Sequence, residues 1–263
     1  MINWDGNFLC EKGYYINLNR RTDRRENCEL ELNNAKITGV ERFEAVEFSK
    51  DLYYHDKGCT QSHMNIAKLQ IENNWQYVLY LEDDIVFDVM YNVDIRDSGK
   101  KLDYSKIVKN VIKDLYKIKP DILWLGTRLE APVKEKVSNT MLVPGRTLMA
   151  HAYLGSLKYA NFVIDNLRYI DNTHFSYAYP IDWFIDQINE KNCGNLVTVN
   201  NFLGKEAMLN NDLKVVVSVP QFFVQGVGLS NISNTSVDYR RWSSDAFSQY
   251  SRIEELEITP YYE

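Results

Sequence analysis

Positive charge is the first thing this sequence is short of. Its 30 Lys and Arg stand against 36 Asp and Glu, a formal net charge of −6, which argues against a protein that grips nucleic acid by bulk charge. No apolar run approaches the roughly 18 residues that a membrane-spanning helix needs. The opening residues, MINWDGNFLCEKG, carry neither a basic region nor an apolar stretch behind it, so no signal peptide is read and a cytoplasmic protein is expected. Cysteine is scarce and dispersed. Cys10, Cys28, Cys59 and Cys193 form no Cys-x-x-Cys pair, and no His is recognised at zinc-ligand spacing, so four unbridged, mostly buried thiols are expected. Glycine and proline are few, at 12 and 6, beside repeated Asn pairs such as Asn33-Asn34 and Asn210-Asn211, a bias that reads as genome composition. What remains is a globular composition: 263 residues, 45% hydrophobic and 25% charged, enough for one large domain with a buried core.

Strand-like and helix-like segments alternate through the first half. Tyr14–Leu18 is a short, apolar, β-prone run, and Thr22–Ala35, charged at most positions, reads as an exposed helix capped by Thr22. Glu41–Glu47 predicts a second strand. Thr60 or Ser62 is a candidate cap for a helix reaching about Asn73, with Met64, Ala67, Leu69 and Ile71 apolar. Tyr77–Leu81 is nearly continuous in apolar residues, as in a parallel sheet covered on both faces. Ile107, Val108, Val111, Ile112 and Leu115 make a helical stripe before Pro120, and Asp121–Gly126 reads as another buried strand. The β–α–β order predicts an α/β fold with a mostly parallel central sheet. Later segments are less regular: a hairpin over Lys134–Val143, helices over Ser156–Tyr169 and Ile181–Lys191, and strands at Val215–Val217 and Phe222–Val224. A single domain over residues 1–236 is expected, followed by a mobile tail over 237–263.

The strongest chemical signal is Glu82-Asp83-Asp84, placed directly after the Tyr77–Leu81 strand. Ligands of open parallel sheets bind at the carboxyl ends of strands, where this triplet falls. Adjacent carboxylates repel one another unless water or a cation neutralises them. A hard divalent ion such as Mg²⁺ or Mn²⁺ takes oxygen ligands and bridges to phosphates, although an ordinary acidic turn fits the same residues. A second cluster, Asn19-Arg20-Arg21 with Arg24 and Arg25, follows the first strand. Guanidinium groups at a helix start suit a phosphate, and a solvated face pairing with Asp23, Glu26 and Glu29 is the alternative. Gly58-Cys59-Thr60-Gln61-Ser62-His63 turns into the helix before the acidic strand. Met149-Ala150-His151-Ala152-Tyr153 and Tyr179-Pro180-Ile181-Asp182-Trp183 complete the set. Asp182 at a helix start suits a catalytic base, a sugar-hydroxyl acceptor or a plain cap.

Taken in order, these residues carry a resemblance. Tyr15-Ile16-Asn17-Leu18-Asn19-Arg20-Arg21-Thr22-Asp23-Arg24-Arg25 resembles the opening motif of the family 25 glycosyltransferases, which include bacterial lipooligosaccharide sugar transferases and collagen galactosyltransferases. Gly58–His63 resembles the second motif, and Leu79-Tyr80-Leu81-Glu82-Asp83-Asp84 the acidic metal motif. His151-Ala152-Tyr153, Asp182-Trp183 and Pro220–Gln225 resemble later landmarks, so the likeness runs from about Tyr14 to Ser233. It implies a GT-A type, Rossmann-like fold, a UDP-galactose or UDP-glucose donor, Mn²⁺ or Mg²⁺, and inversion at the anomeric carbon. Asp84 would be the leading metal ligand, with Glu82 supporting the metal or the ribose. Asn17, Leu18, Asn19, Arg20, Arg24 and Gln225 would surround the nucleotide diphosphate. Ser62, His63 and Asp83 would lie near the donor sugar. The acidic motif departs from the usual Asp-x-Asp in its first residue, Glu82.

The expected reaction is a single displacement in which an acceptor hydroxyl attacks the sugar. Asp182 is the preferred base and Glu130 the alternative. Expected partners are the UDP-sugar and a glycan or protein acceptor, such as a collagen-like hydroxylysine; a homodimer is compatible with the chain, nucleic acid is not expected. Two other readings stay open. One is a relative that binds nucleotide sugar or glycan without transferring it. The other is a metal-dependent phosphohydrolase using Asp83 and Asp84, which the Glu at position 82 disfavours.

Overall fold

The apolar run around Tyr14 becomes the strand on which the sheet is assembled. In the computed structural model, residues 1–47, 55–90, 99–171, 212–226, 228–229, 236–237, 246–247 and 249–263 are described. Two short strands, β1 (Ile2–Trp4) and β2 (Asn7–Cys10), lead into β3 (Lys12–Asn17), α1 (Thr22–Asn34), β4 (Ile37–Thr38) and β5 (Glu41–Glu44). Then come α2 (His55–Glu72), β6 (Tyr77–Glu82), β7 (Ile85–Met90), α3 (Tyr104–Ile118) and β8 (Ile122–Ala131). The chain continues through β9 (Glu135–Ser138), β10 (Met141–Val143), β11 (Arg146–Ser156) and α4 (Leu157–Asp171). It closes with β12 (Val215–Ser218), β13 (Gln221–Gln225), β14 (Gly228–Leu229) and β15 (Ser236–Val237). The helix expected over Ile181–Lys191 lies outside the described residues, as do Asp182 and Cys193.

Eight strands form the central sheet, in the order β5-β3-β6-β11-β8-β12-β10-β9. Strand β3 is parallel to both β5 and β6, and β8 is parallel to β12. Strand β11 runs antiparallel to β6 and β8, and β10 antiparallel to β12 and β9. Every strand but β11 and β10 therefore points the same way, which is the α/β, mostly parallel arrangement expected of the sequence. The run Tyr77–Leu81 is buried throughout, with α2 and β2 packed against its strand, as expected where a sheet is covered on both faces. Its neighbour α3 is the clearest amphipathic helix, burying Ile107, Val108, Val111, Ile112 and Leu115. The Asp103 side chain accepts from Lys106 N at its start, and left-handed Lys119 ends it before Pro120. Among the described residues no helix is long and apolar enough to cross a membrane.

Several elements depart from the local reading. Thr22 is the first helical residue and not the cap; Arg21 occupies the cap position, its side chain making no capping bond and pairing with Asp23 instead. Helix α2 starts at His55, so Thr60 and Ser62 lie inside it, and the Ser62 hydroxyl donates back to the Gly58 carbonyl at 2.7 Å. The Met149–Tyr153 stretch belongs to the long strand β11, inserted antiparallel between β6 and β8. Its partners lie far away in the chain, so no local pattern announces it. The terminal segment read as a mobile tail is, over its described residues, packed against the body: Phe247, Ile253 and Ile258 are buried and Tyr250 O accepts from Val133 N.

A separate antiparallel pair, β13 with β7, lies against the sheet, aligning Gln225 with Ile85 and Phe223 with Phe87. Gly126 of β8 makes that approach possible. A Cβ there would fall on the Phe223 carbonyl oxygen and 2.6 Å from His151 Nε2. Gly126→Ala is therefore expected to cost about 1–3 kcal/mol, read as a lowered urea midpoint with an unchanged slope.

Candidate active site

The chain runs from β3 outward to β5 and then back to β6 on the other side of β3. Strand order thus reverses between β3 and β6, and crevices at such a point, outside the carboxyl ends of the strands, are the ligand sites of open α/β sheets. Register brings Ile16 beside Glu82, so Asn17 and Asp83 emerge side by side. Asn17 is buried and its amide Nδ2 donates to Asp83 Oδ2 at 2.7 Å and to the Arg21 carbonyl at 3.0 Å. One side chain therefore ties the end of β6 to the turn that launches α1.

Arg24, one turn into α1, reaches the same carboxylates. Its Nη1 lies 2.9 Å from Asp83 Oδ1 and 3.3 Å from Asp84 Oδ2. From the opposite side, Gln225 Nε2 donates to Asp84 Oδ2 at 3.0 Å, a consequence of the β7–β13 register. Asp84 Oδ1 is buried without a hydrogen-bond partner. Burial, followed by the charges of Glu82 and Asp83, pushes Asp84 up to about 7, against the pull of Arg24 and Gln225. Asp83 is also raised, chiefly by burial, with Arg24 and Asn17 opposing. An orphaned carboxylate oxygen whose charge is this costly suits a hard divalent cation, and Asp84 is the residue best fitted to hold one.

Glu82 faces another group of side chains. Its Oε1 is 3.6 Å from Cys59 Sγ and 3.9 Å from His63 Nε2. Burial raises Glu82, but His63, His151 and Cys59 outweigh it and hold the carboxyl below its ordinary range. His63 Nδ1 is 2.9 Å from the Tyr153 hydroxyl. The neighbouring Ser62 hydroxyl is committed to the fold, donating to Gly58 O and accepting from Val46 N at 2.9 Å. His151 is fully buried, which lowers its basicity, and its Nε2 lies 3.2 Å from the Phe223 carbonyl.

The other sequence-derived candidates separate. Leu18 is half-buried and its carbonyl accepts from Arg21 N at 2.9 Å; Asn19 and Arg20 are exposed. Arg20 pairs with Glu47 at 2.8 Å, Arg21 with Asp23, and Arg25 with Glu29, so Arg24 is the member of the arginine cluster brought to the acidic turn. Glu130 lies within β8 and pairs with Arg128. Asp182 lies outside the described residues. Arg42 was not anticipated: from β5 its Nε donates to Asn17 Oδ1 at 3.0 Å and its Nη2 reaches Asn19 Oδ1 at 3.3 Å. The parallel register of β5 on β3 puts it there, and an isolated Arg in a strand carries no such signal in sequence.

The profile of glycosyltransferase family 25 (LPS biosynthesis protein) matches residues 47–185, just over half of the 263-residue chain. No curated protein matches the chain. Among solved structures, a glycosyltransferase involved in the glycosylation of the major capsid of PBCV-1 is similar with a TM-score of 0.38 and 11% identity, over 63% of this chain and 68% of that one. A197 from STIV is similar with a TM-score of 0.36 and 6% identity, over 87% of this chain and 94% of that one. The matched family segment contains both Gly58–His63 and the acidic turn that Asn17 and Arg24 hold, and on that match the chain belongs to glycosyltransferase family 25.

Proposed function

We propose that this family 25 glycosyltransferase moves galactose or glucose from a UDP-sugar to a hydroxyl of a glycan or of a collagen-like protein, with inversion and with a divalent cation. The observation that supports this most is the convergence of Asn17, Arg24, Asp83, Asp84 and Gln225 at the point where strand order reverses. Such a site pairs a cation with carboxylates, the combination a nucleotide diphosphate and its metal require.

In this reading an acceptor hydroxyl attacks C1 of the sugar as the bond from C1 to the diphosphate oxygen breaks, and the hydroxyl proton passes to a carboxylate. Asp182 is the proposed base. Asp84 would hold Mn²⁺ or Mg²⁺, which supplies Lewis-acid stabilisation of the leaving diphosphate when bound. Arg24 would add positive charge beside that diphosphate. Asp83, fixed by Asn17 and Arg24, would orient the donor sugar.

A donor panel crossed with an acceptor panel in Mn²⁺, read by mass spectrometry, tests the reading. UDP-galactose or UDP-glucose is expected to give an acceptor heavier by one hexose. Hydrolysis without transfer across the panel would count against it. Asp84→Ala is expected to lower transfer by at least about 100-fold; full turnover in Mn²⁺ would remove Asp84 from the metal role.

The raised Asp84 carboxyl also sets a pH dependence. A cation competes with its proton, so Mn²⁺ affinity measured calorimetrically should weaken as pH falls below about 7. Folding has the opposite trend. Because the folded value lies above the ordinary 3.8, this group favours the folded metal-free chain at low pH, and that contribution is lost as pH rises through about 7. Asp84→Asn should accordingly raise the melting temperature of metal-free protein at pH 8 and change it little at pH 4.

A further inference from the structure

We propose that Cys59, His63 and Glu82 form a binding site for a thiophilic divalent cation, zinc being the best fit, in addition to the hard-cation role assigned to Asp84. Among the described residues, this is the place where three His, Cys, Asp or Glu donor atoms lie within 4.8 Å of one another. Cys59 and His63 are four residues apart on α2, so both project from one face of the helix. Glu82 meets them from the end of β6.

The separations match the chemistry. Zinc bonds of about 2.0–2.3 Å to oxygen, nitrogen and sulfur, arranged tetrahedrally, leave donor atoms about 3.3–3.6 Å apart. Cys59 Sγ is 3.6 Å and His63 Nε2 3.9 Å from Glu82 Oε1, and all three donor atoms lie within 4.8 Å of one another, so a contraction on the order of 1 Å or less would complete the set. His63 supplies the independent sign of a ligand. It is 1% exposed, and its Nε2, the atom facing Glu82, has no hydrogen-bond partner. A buried ring nitrogen without a partner is costly, and a metal ion satisfies it.

The surroundings behave as a metal site's outer shell does. His63 Nδ1 is 2.9 Å from the Tyr153 hydroxyl, which is 3.1 Å from that of Tyr159. When Nδ1–H donates to Tyr153, the Nε2 lone pair is left pointing at Glu82 and Cys59, as a ligating histidine requires. Thiolate, imidazole and carboxylate together prefer Zn²⁺ or Co²⁺ to Mg²⁺ or Mn²⁺. Binding would release the Cys59 thiol proton to solvent. With three protein ligands and a half-buried mouth, a fourth position stays open to water. None of this requires the transferase reading to hold.

The test is a Co²⁺ titration of the full-length, reduced, metal-stripped protein. One equivalent should produce a thiolate-to-cobalt charge-transfer band in the near ultraviolet, bleached by Zn²⁺. Cys59→Ser should abolish that band and Asp84→Asn should keep it. Tyr153→Phe should weaken Zn²⁺ by about tenfold. Absence of the band from the unsubstituted protein, or its persistence in Cys59→Ser, overturns the site. Should Cys59→Ser not fold, alkylation of the unsubstituted protein decides the matter: Zn²⁺ should protect Cys59, as mapped by mass spectrometry, and equal labelling with and without Zn²⁺ overturns the proposal.

Discussion

Asp83 and Asp84 stand next to each other, largely withdrawn from water, and the Arg24 guanidinium lies against both. That contact is the constraint around which the site is arranged. Removing two carboxylates from water costs several kcal/mol unless opposite charge and hydrogen bonds compensate. Here one guanidinium serves two carboxylates, Asn17 completes Asp83, and Gln225 completes one oxygen of Asp84 while the other is left without a partner. The residual imbalance explains why the Asp84 carboxyl is pushed up to about 7. It also shows why a cation at Asp84 would stabilise the region it binds.

Four elements of the first half build that arrangement. Strand β3 delivers Asn17, α1 delivers Arg24, β5 delivers Arg42 behind Asn17, and β6 ends in the carboxylates. From the second half, β13 supplies Gln225, held at the right height because β8 has a glycine where β13 crosses it. A change at Gly126 therefore reaches the acidic turn without touching it, through the register of β13 on β7.

The acidic turn has two sides with different chemistry, because successive residues at a strand end point to opposite faces. Asp83 meets hard, charged partners from α1. Glu82 meets a thiol and an imidazole from α2. One acidic tripeptide thus meets a guanidinium and amides on one side and a thiol and an imidazole on the other.

How much of this was legible in the sequence varied with distance along the chain. The buried runs Tyr77–Leu81 and Asp121–Gly126, the stripe Ile107–Leu115 and the parallel character of the sheet follow from apolar periodicity, a property of neighbouring residues. So does the placement of Glu82-Asp83-Asp84 just past a strand. Strand β11 was not legible, because what makes it a strand is pairing with β6 and β8 on either side. Nor was the choice of Arg24 over Arg20, since adjacent turns of one helix look alike until the sheet fixes which face is inward. The Cys59–His63 spacing was passed over for the same reason: four residues apart means one helix face only once the helix is known to begin at His55. The sequence by itself determined the elements, the acidic strand end and the family motifs, all encoded in short-range pattern. The tertiary structure alone decided which charges face one another, because a partner in another strand or helix is set by register and packing.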